Sequence, residues 1–162
     1  MRVLYCLDGT NIAEVSQARA MLFSASESQI LGILYVIDSG PREDIGRTRE
    51  RFLRRPGPPP LREEEMRQAE KATARDILEE GLRQLPDAEI LERQGRPERE
   101  IVNCAAEWHA DLLVICPRAQ FGGKPSIGPK SVGHVARFVL DHAPCPVLLV
   151  RPPAHEQFPI TR

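Results

Sequence analysis

The sequence predicts a doubly wound α/β domain built on a five-stranded parallel sheet in the order 3-2-1-4-5. Short apolar runs rich in branched residues alternate with amphipathic helical segments. Several of the runs are continuously apolar, which is typical of parallel strands covered on both faces. At 162 residues the chain suits one such domain. We expect the domain at residues 1–152, with a Pro- and Arg-rich insertion at 39–60 and a C-terminal tail at 153–162.

Five strands are predicted from the apolar runs. They cover residues 3–7, 30–37, 88–91, 112–116 and 147–150. The second, fourth and fifth are continuous rather than alternating, so helices must cover both of their faces. Right-handed crossovers through those helices produce the doubly wound sheet.

Four helices are expected in the segments between the strands. The first begins at Asn11, which has the spacing of a capping box with Glu14. The third has Pro97 in its first turn, and the fourth covers about residues 131–142. The second covers about residues 61–85, and its predicted inward face consists of Met66, Ala69, Thr73, Ile77 and Leu85.

The charge balance excludes whole classes of partner. With 22 basic and 23 acidic residues the formal net charge is -1, so no global field attracts the protein to nucleic acid or to an anionic membrane. The first residues lack the pattern of a signal peptide, and their apolar run is too short to span a bilayer. We therefore expect a cytosolic protein that binds neither nucleic acid nor membranes.

The cysteines are widely separated and form no C-x-x-C pair, so neither a zinc site nor a redox dithiol is indicated. Most of the thiols are expected to be buried and reduced. Cys116 is the one thiol worth testing for reactivity, because Arg118 and a following helix N-terminus could lower its pKa; an unreactive thiol is the favoured interpretation.

Asp8, Gly9 and Thr10 directly follow the first predicted strand and precede a helix. In a doubly wound sheet, ligands bind beyond the carboxyl ends of the strands where the strand order reverses. A helix N-terminus there favours an anion, and the Asp8 carboxylate suits a ribose hydroxyl, an amino group or a metal that bridges phosphates. The alternative is that these residues only form a turn and cap the helix.

A long loop rich in Gly and Pro follows the fourth predicted strand, over residues 116–134. Its glycines would let backbone N–H groups approach an anion closely, and its basic residues would hold phosphates. The competing interpretation is a solvated surface loop, since Gly and Pro mark any long loop. The candidate contacts in this loop are Cys116, Arg118, Gly122, Gly123, Gly133 and His134.

Several segments together resemble the universal stress protein family over nearly the full length of the chain. Each is weak alone, and their order and spacing carry the resemblance. The segments are VLYCLDGT at 3–10, ILYVID at 33–38, GRP at 95–97, ADLLVI at 110–115 and VLDHAPCPVLLV at 139–150.

The resemblance implies a site for ATP or another adenine nucleotide, with or without Mg²⁺. Asp8 matches the aspartate that contacts the nucleotide in the family, and Val36 matches a position whose backbone contacts adenine. ATP-binding members carry a G-x-x-G motif and, further on, a glycine followed by Ser or Thr. Gly133 matches that last glycine, and His134 stands where the hydroxyl residue is expected.

The first part of the motif is altered. Cys116 and Ala119 stand at its two glycines, and a Cβ at either position obstructs close approach of the backbone. A second register keeps Gly123 but replaces the first glycine by Gln120. Both registers leave open whether the loop still binds a nucleotide.

Three functions follow as hypotheses. The first is a non-enzymatic regulatory protein of the universal stress type, which binds an adenine nucleotide and forms a homodimer through its last strand, as the resemblance implies. The second is an interaction module of the same fold that has lost nucleotide binding and serves a protein partner. The third, which the residues favour least, is a slow nucleotide hydrolase; no catalytic residue and no metal ligand is predicted.

Overall fold

The computed structural model describes residues 1–22, 28–39, 60–117 and 131–151. Strands and helices alternate along them. In chain order they are β1 (Arg2–Leu7), α1 (Ile12–Leu22), β2 (Ile30–Asp38), α2 (Pro60–Gln84), β3 (Glu89–Gly95), α3 (Pro97–Glu107), β4 (Leu112–Ile115), α4 (His134–His142) and β5 (Val147–Leu149). Most of the predicted insertion and the predicted tail lie outside the described residues, so the domain boundaries stay predictions.

The strands form one parallel sheet in the order β3-β2-β1-β4-β5. β1 lies at the centre, with Leu7 opposite Tyr35 of β2 and Val3 opposite Leu112 of β4. The predicted fold class and strand order are confirmed. The order reverses between β1 and β4, where a doubly wound sheet opens a crevice at its carboxyl edge.

Helices cover both faces of the sheet and bury a separate apolar core on each. Helices α1 and α2 pack on one face, and α3 and α4 pack on the other. The residues buried there are Val15, Ala18, Leu78 and, just after α2, Leu85 on the first face, and Ile101, Cys104, Ala105, Ala136 and Val139 on the second. Because β1 is covered on both faces, every side chain from Val3 to Leu7 is buried.

The inward face of α2 differs from the predicted one. Met66, Ala69 and Thr73 are exposed, so the prediction was wrong for the first half of the helix. The residues buried at helical spacing are Ala74, Leu78, Gly81 and Leu85. Gly81 marks the close approach to the sheet, since a Cβ there would lie 2.6 Å from Leu7 Cδ1.

Two further boundaries differ from the predicted ones for structural reasons. β3 continues to Gly95, beyond the predicted end at residue 91, because it stays paired with β2 as far as Asp38. α4 begins at His134 and not near residue 131, because Gly133 before it has a φ of 76°, in the left-handed region.

Candidate functional site

A pocket of about 300 Å³ opens at the carboxyl ends of β1, β2 and β4. Its volume is at the lower end of the range for small-molecule sites. Residues from the ends of these strands and from the first turns of α3 and α4 line it. The pocket lies where the strand order reverses, which is the position predicted from the sequence.

Asp8 follows β1 and begins a tight turn at the pocket. Its Oδ1 accepts two hydrogen bonds from Thr10, one from the backbone N–H and one from the hydroxyl, each at 2.8 Å. Gly9 between them has a φ of 85°, which favours glycine. The turn expected under the alternative interpretation therefore forms, and Asp8 nevertheless lines the pocket.

Asn11 anchors this turn to the end of β1. Its side chain is only 4% exposed, its Nδ2 donates to the Cys6 carbonyl at 2.9 Å, and its Oδ1 accepts the Asp8 N–H at 3.1 Å. Asn11 Oδ1 is thus directed to Asp8, and among the described residues Glu14 Oε2 has no hydrogen-bond partner, so these contacts do not support the predicted capping box. The sequence pattern missed the anchoring role because an Asn directly before a helix usually caps it.

The end of β2 and the start of α3 supply a largely apolar wall. Val36 lies in it, together with Pro97 and Ile101. Tyr35 and Asp38 also line the pocket, and neither was predicted. Asp38 ends β2 just as Asp8 follows β1, so its position at a strand end was the signal that could have found it.

The Tyr35 hydroxyl is a donor beside two carboxylates. Burial raises the pKa of Tyr35, and the nearby Asp8 and Asp38 raise it further. The phenol therefore stays protonated at neutral pH and retains its hydrogen-bond donor.

Gly133 and His134 line the pocket at the N-terminus of α4. Within the described part of the chain, no side chain caps this helix, and a Cβ at Gly133 would meet nothing within 4 Å. Its positive φ is therefore reason enough for a glycine at this position. His134 is exposed and follows it as the first residue of the helix.

Cys116 lies in the pocket directly after β4. Burial raises the pKa of its thiol to about 11; a hydrogen bond with Asn11 opposes this shift, and the Asp8 and Glu14 carboxylates add to it. The raised pKa argues against the reactive thiolate that the sequence left as the disfavoured alternative, because desolvation dominates at the strand end. Arg118, which was expected to activate the thiol, lies outside the described residues.

The predicted contacts divide into three groups. Asp8, Val36, Cys116, Gly133 and His134 meet in the pocket lining. Gly9 and Thr10 belong to the adjoining turn. Arg118, Gly122 and Gly123 lie outside the described residues. Nucleotide binding by any of them stays a prediction.

The described residues contain neither a cluster suited to a metal ion nor a membrane-spanning helix. Across residues 1–22, 28–39, 60–117 and 131–151, no group of three or more His, Cys, Asp and Glu side chains could hold a metal ion. Within the same ranges, every helix is too short or too polar to traverse a bilayer.

Comparison with known proteins decides the family. The model of the universal stress protein family matches residues 1–151. This chain belongs to that family. The resemblance seen in the sequence is thereby confirmed over nearly the whole chain.

Individual relatives share only part of their sequence with this universal stress protein. A Thermus aquaticus protein named "universal stress protein in QAH/OAS sulfhydrylase 3′ region" is 36% identical over 86 residues, which cover 53% of this chain and 58% of that protein. An Arabidopsis thaliana family member solved with AMP bound is 18% identical, with a TM-score of 0.62 and coverage of 97% of this chain and 95% of that one. A universal stress protein solved in complex with cAMP is 20% identical, with a TM-score of 0.53 and coverage of 93% and 96%. At these identities the solved structures establish a shared fold.

Proposed function

We propose that this universal stress protein is a regulatory protein that binds an adenine nucleotide in the pocket at the carboxyl ends of β1, β2 and β4. The proposal rests on one observation: the Asp8 carboxylate and an apolar wall line the same pocket, where the strand order reverses. A carboxylate that accepts hydrogen bonds from hydroxyl groups beside an apolar surface suits a nucleoside.

The proposed roles follow the chemistry of each part of the pocket. Asp8 accepts hydrogen bonds from the ribose hydroxyls, and the base lies against the wall that contains Val36 and Ile101. The phosphate lies toward Gly133 and His134, where the N-terminus of α4 favours negative charge. Arg118, Gly122 and Gly123 are further predicted phosphate contacts.

The ligands named for two neighbours guide the choice of nucleotide. One neighbour was solved with AMP and the other with cAMP, and both are adenine monophosphates. They support AMP and cAMP as the first ligands to test. ATP with and without Mg²⁺ belongs in the same series, because the family motif for ATP is only partly kept in this chain.

Calorimetric titration of ligand-free protein with AMP, cAMP and ATP tests the proposal. We expect at least one nucleotide to bind, and Asp8→Ala to weaken it by roughly 10- to 100-fold, since a hydrogen bond to a charged group contributes about 1.5–3 kcal/mol. Asp76→Ala is the matched control, because Asp76 is exposed on α2 and lies outside the pocket lining. No binding at millimolar nucleotide with Mg²⁺ would sink the proposal and leave the interaction module as the function.

We also propose that the protein is a cytosolic homodimer joined through β5. Support comes from the position of β5 at an edge of the sheet, where its three apolar residues are only half-buried. An unpaired apolar edge strand is an aggregation hazard that pairing with a second copy removes. Sedimentation equilibrium at micromolar concentration should give twice the mass of the chain; a single-chain mass at every concentration would contradict the dimer.

A further inference from the structure

We propose that Thr10 is a positioning residue for Asp8: it holds Oδ1 of the carboxylate, so that Oδ2 is directed to the ribose hydroxyls of the nucleotide. This inference rests on the proposed function, because it assigns a role within the same site. It differs from the sequence-based expectation, in which Thr10 itself contacts the nucleotide.

The hydrogen bonds of Thr10 carry the argument. Its backbone N–H and its hydroxyl both donate to Asp8 Oδ1, each at 2.8 Å. A carboxylate oxygen has about two lone-pair sites, so these two bonds fill the acceptor capacity of Oδ1. Oδ2 is then the oxygen that accepts a hydrogen bond from a ligand.

Asn11 keeps the turn in place. It bonds the Cys6 carbonyl on one side of the segment and the Asp8 N–H on the other, and its own side chain is buried. The backbone that carries the Asp8 carboxylate is therefore tied to the end of β1. With the backbone tied and Oδ1 occupied, the carboxylate is held in one orientation before the ligand arrives, which lowers the entropic cost of binding.

The positions of the two residues separate their roles. Both residues are exposed, but Asp8 lines the pocket, whereas Thr10 belongs to the adjoining turn and is not among the described residues of the lining. Thr10 therefore acts on the ligand through Asp8. Removing its hydroxyl should weaken those ligand interactions that Asp8 makes and leave the others intact.

The test compares two ligands and two variants by calorimetry. AMP carries the ribose hydroxyls, and 2′,3′-dideoxy-AMP lacks both of them. The wild type should bind AMP more tightly than the dideoxy analogue. Thr10→Val should weaken the binding of AMP by about three- to tenfold, which is the range for one hydrogen bond. The same variant should change the affinity for the dideoxy analogue by less than about twofold. Thr10→Ser keeps the hydroxyl and should retain both affinities.

Three other results would contradict the proposed role of Thr10. Equal weakening of both ligands by Thr10→Val would mean that Thr10 contacts the nucleotide directly. No effect of Thr10→Val on either ligand would mean that the hydroxyl does not orient Asp8. Equal binding of both ligands by the wild type would mean that Asp8 does not bind the ribose hydroxyls. Each of these results overturns the inference while nucleotide binding stands. No binding of any adenine nucleotide by the wild type would instead overturn the proposed function. Matching melting temperatures for the two variants show that both are folded.

Discussion

Tyr5 carries an unfavourable polar group in the middle of β1. Its side chain is completely buried, and among the described residues its hydroxyl has no hydrogen-bond partner. Burial raises the pKa of the phenol, while Arg19 opposes that shift. A buried hydroxyl without a partner costs about 1–3 kcal/mol of desolvation. The ring of Tyr5 therefore stabilises the core, and its oxygen does not.

We expect Tyr5→Phe to raise the free energy of unfolding by about 1 kcal/mol, because it removes that oxygen and keeps the ring. Urea denaturation followed by circular dichroism measures the change. Tyr35→Phe is the matched control, since Tyr35 is half-buried at the pocket, and its stability should change by less than about 0.5 kcal/mol. A loss of stability in Tyr5→Phe would mean that the hydroxyl has a partner after all.

The contact between α3 and β2 depends on the absence of a side chain at one position. Trp108 follows α3 and packs across β2 at Gly32, where a Cβ would lie 2.9 Å from indole Cζ2. The ring is held in place, because its Nε1 donates to Glu89 Oε2 at 2.8 Å and the Arg2 guanidinium lies 4.1 Å from its centroid. Gly32 therefore sets how closely the helix end approaches the sheet.

Gly32→Ala should lower the free energy of unfolding by about 1–3 kcal/mol, the usual cost of overpacking a rigid contact. In a Trp108→Phe background the same substitution should cost less, because the smaller ring leaves room for the methyl group. Chemical denaturation of the four proteins of this cycle gives the coupling. Equal losses of stability in both backgrounds would mean that the added methyl group does not clash with the Trp108 ring.

Close packing at a glycine also explains why the inward face of α2 was predicted incorrectly. A helical pattern counts apolar side chains, and it therefore selected Met66 and Ala69. The structure instead turns Gly81 toward β1, where the lack of a side chain allows close packing. Helix positions can thus be predicted from the pattern, while the face that meets the sheet depends on the distance between two elements.

At the scale of the whole molecule, the burial of thiol and phenol groups makes the stability of the fold depend on pH in the alkaline range. The sheet buries Cys6, Cys116 and Tyr5, and burial raises the pKa of each. For Cys116 the pKa rises from 9.0 to about 11. The folded state holds these protons more tightly than the unfolded chain, so they stabilise the fold at neutral pH. For Cys116 that contribution is complete below about pH 9 and is lost as the pH rises through about 9–11.

We therefore expect the free energy of unfolding to fall as the pH rises above about 9, by up to about 1.4 kcal/mol per pH unit for each group. Urea denaturation between about pH 7.5 and 10.5 with a reductant present measures this slope. Cys116→Ala removes one of the groups, and its stability should fall less steeply than that of the wild type. A stability that is constant up to pH 10.5 would contradict the raised pKa values.

Much of the candidate site could be predicted because parallel strands bring their carboxyl ends to one edge. Asp8 and Cys116 follow β1 and β4, and both line the pocket as that rule requires. Asn11 was missed as an anchor, because its partners Cys6 and Asp8 lie on the side away from the helix that it precedes. A capping pattern describes only the helix side of such a residue.

The local pattern of apolar and polar residues was enough to predict the existence of the strands and helices and the doubly wound class, because hydrophobic periodicity acts along neighbouring stretches of chain and crossovers follow a fixed hand. Three features required the folded molecule: the face of α2 that meets β1, the packing of Trp108 on Gly32, and the protonated state of Cys116. Each depends on atoms that are distant in sequence and close in space. Desolvation and steric contact are properties of that packing, so the chain acquires them only when its layers come together.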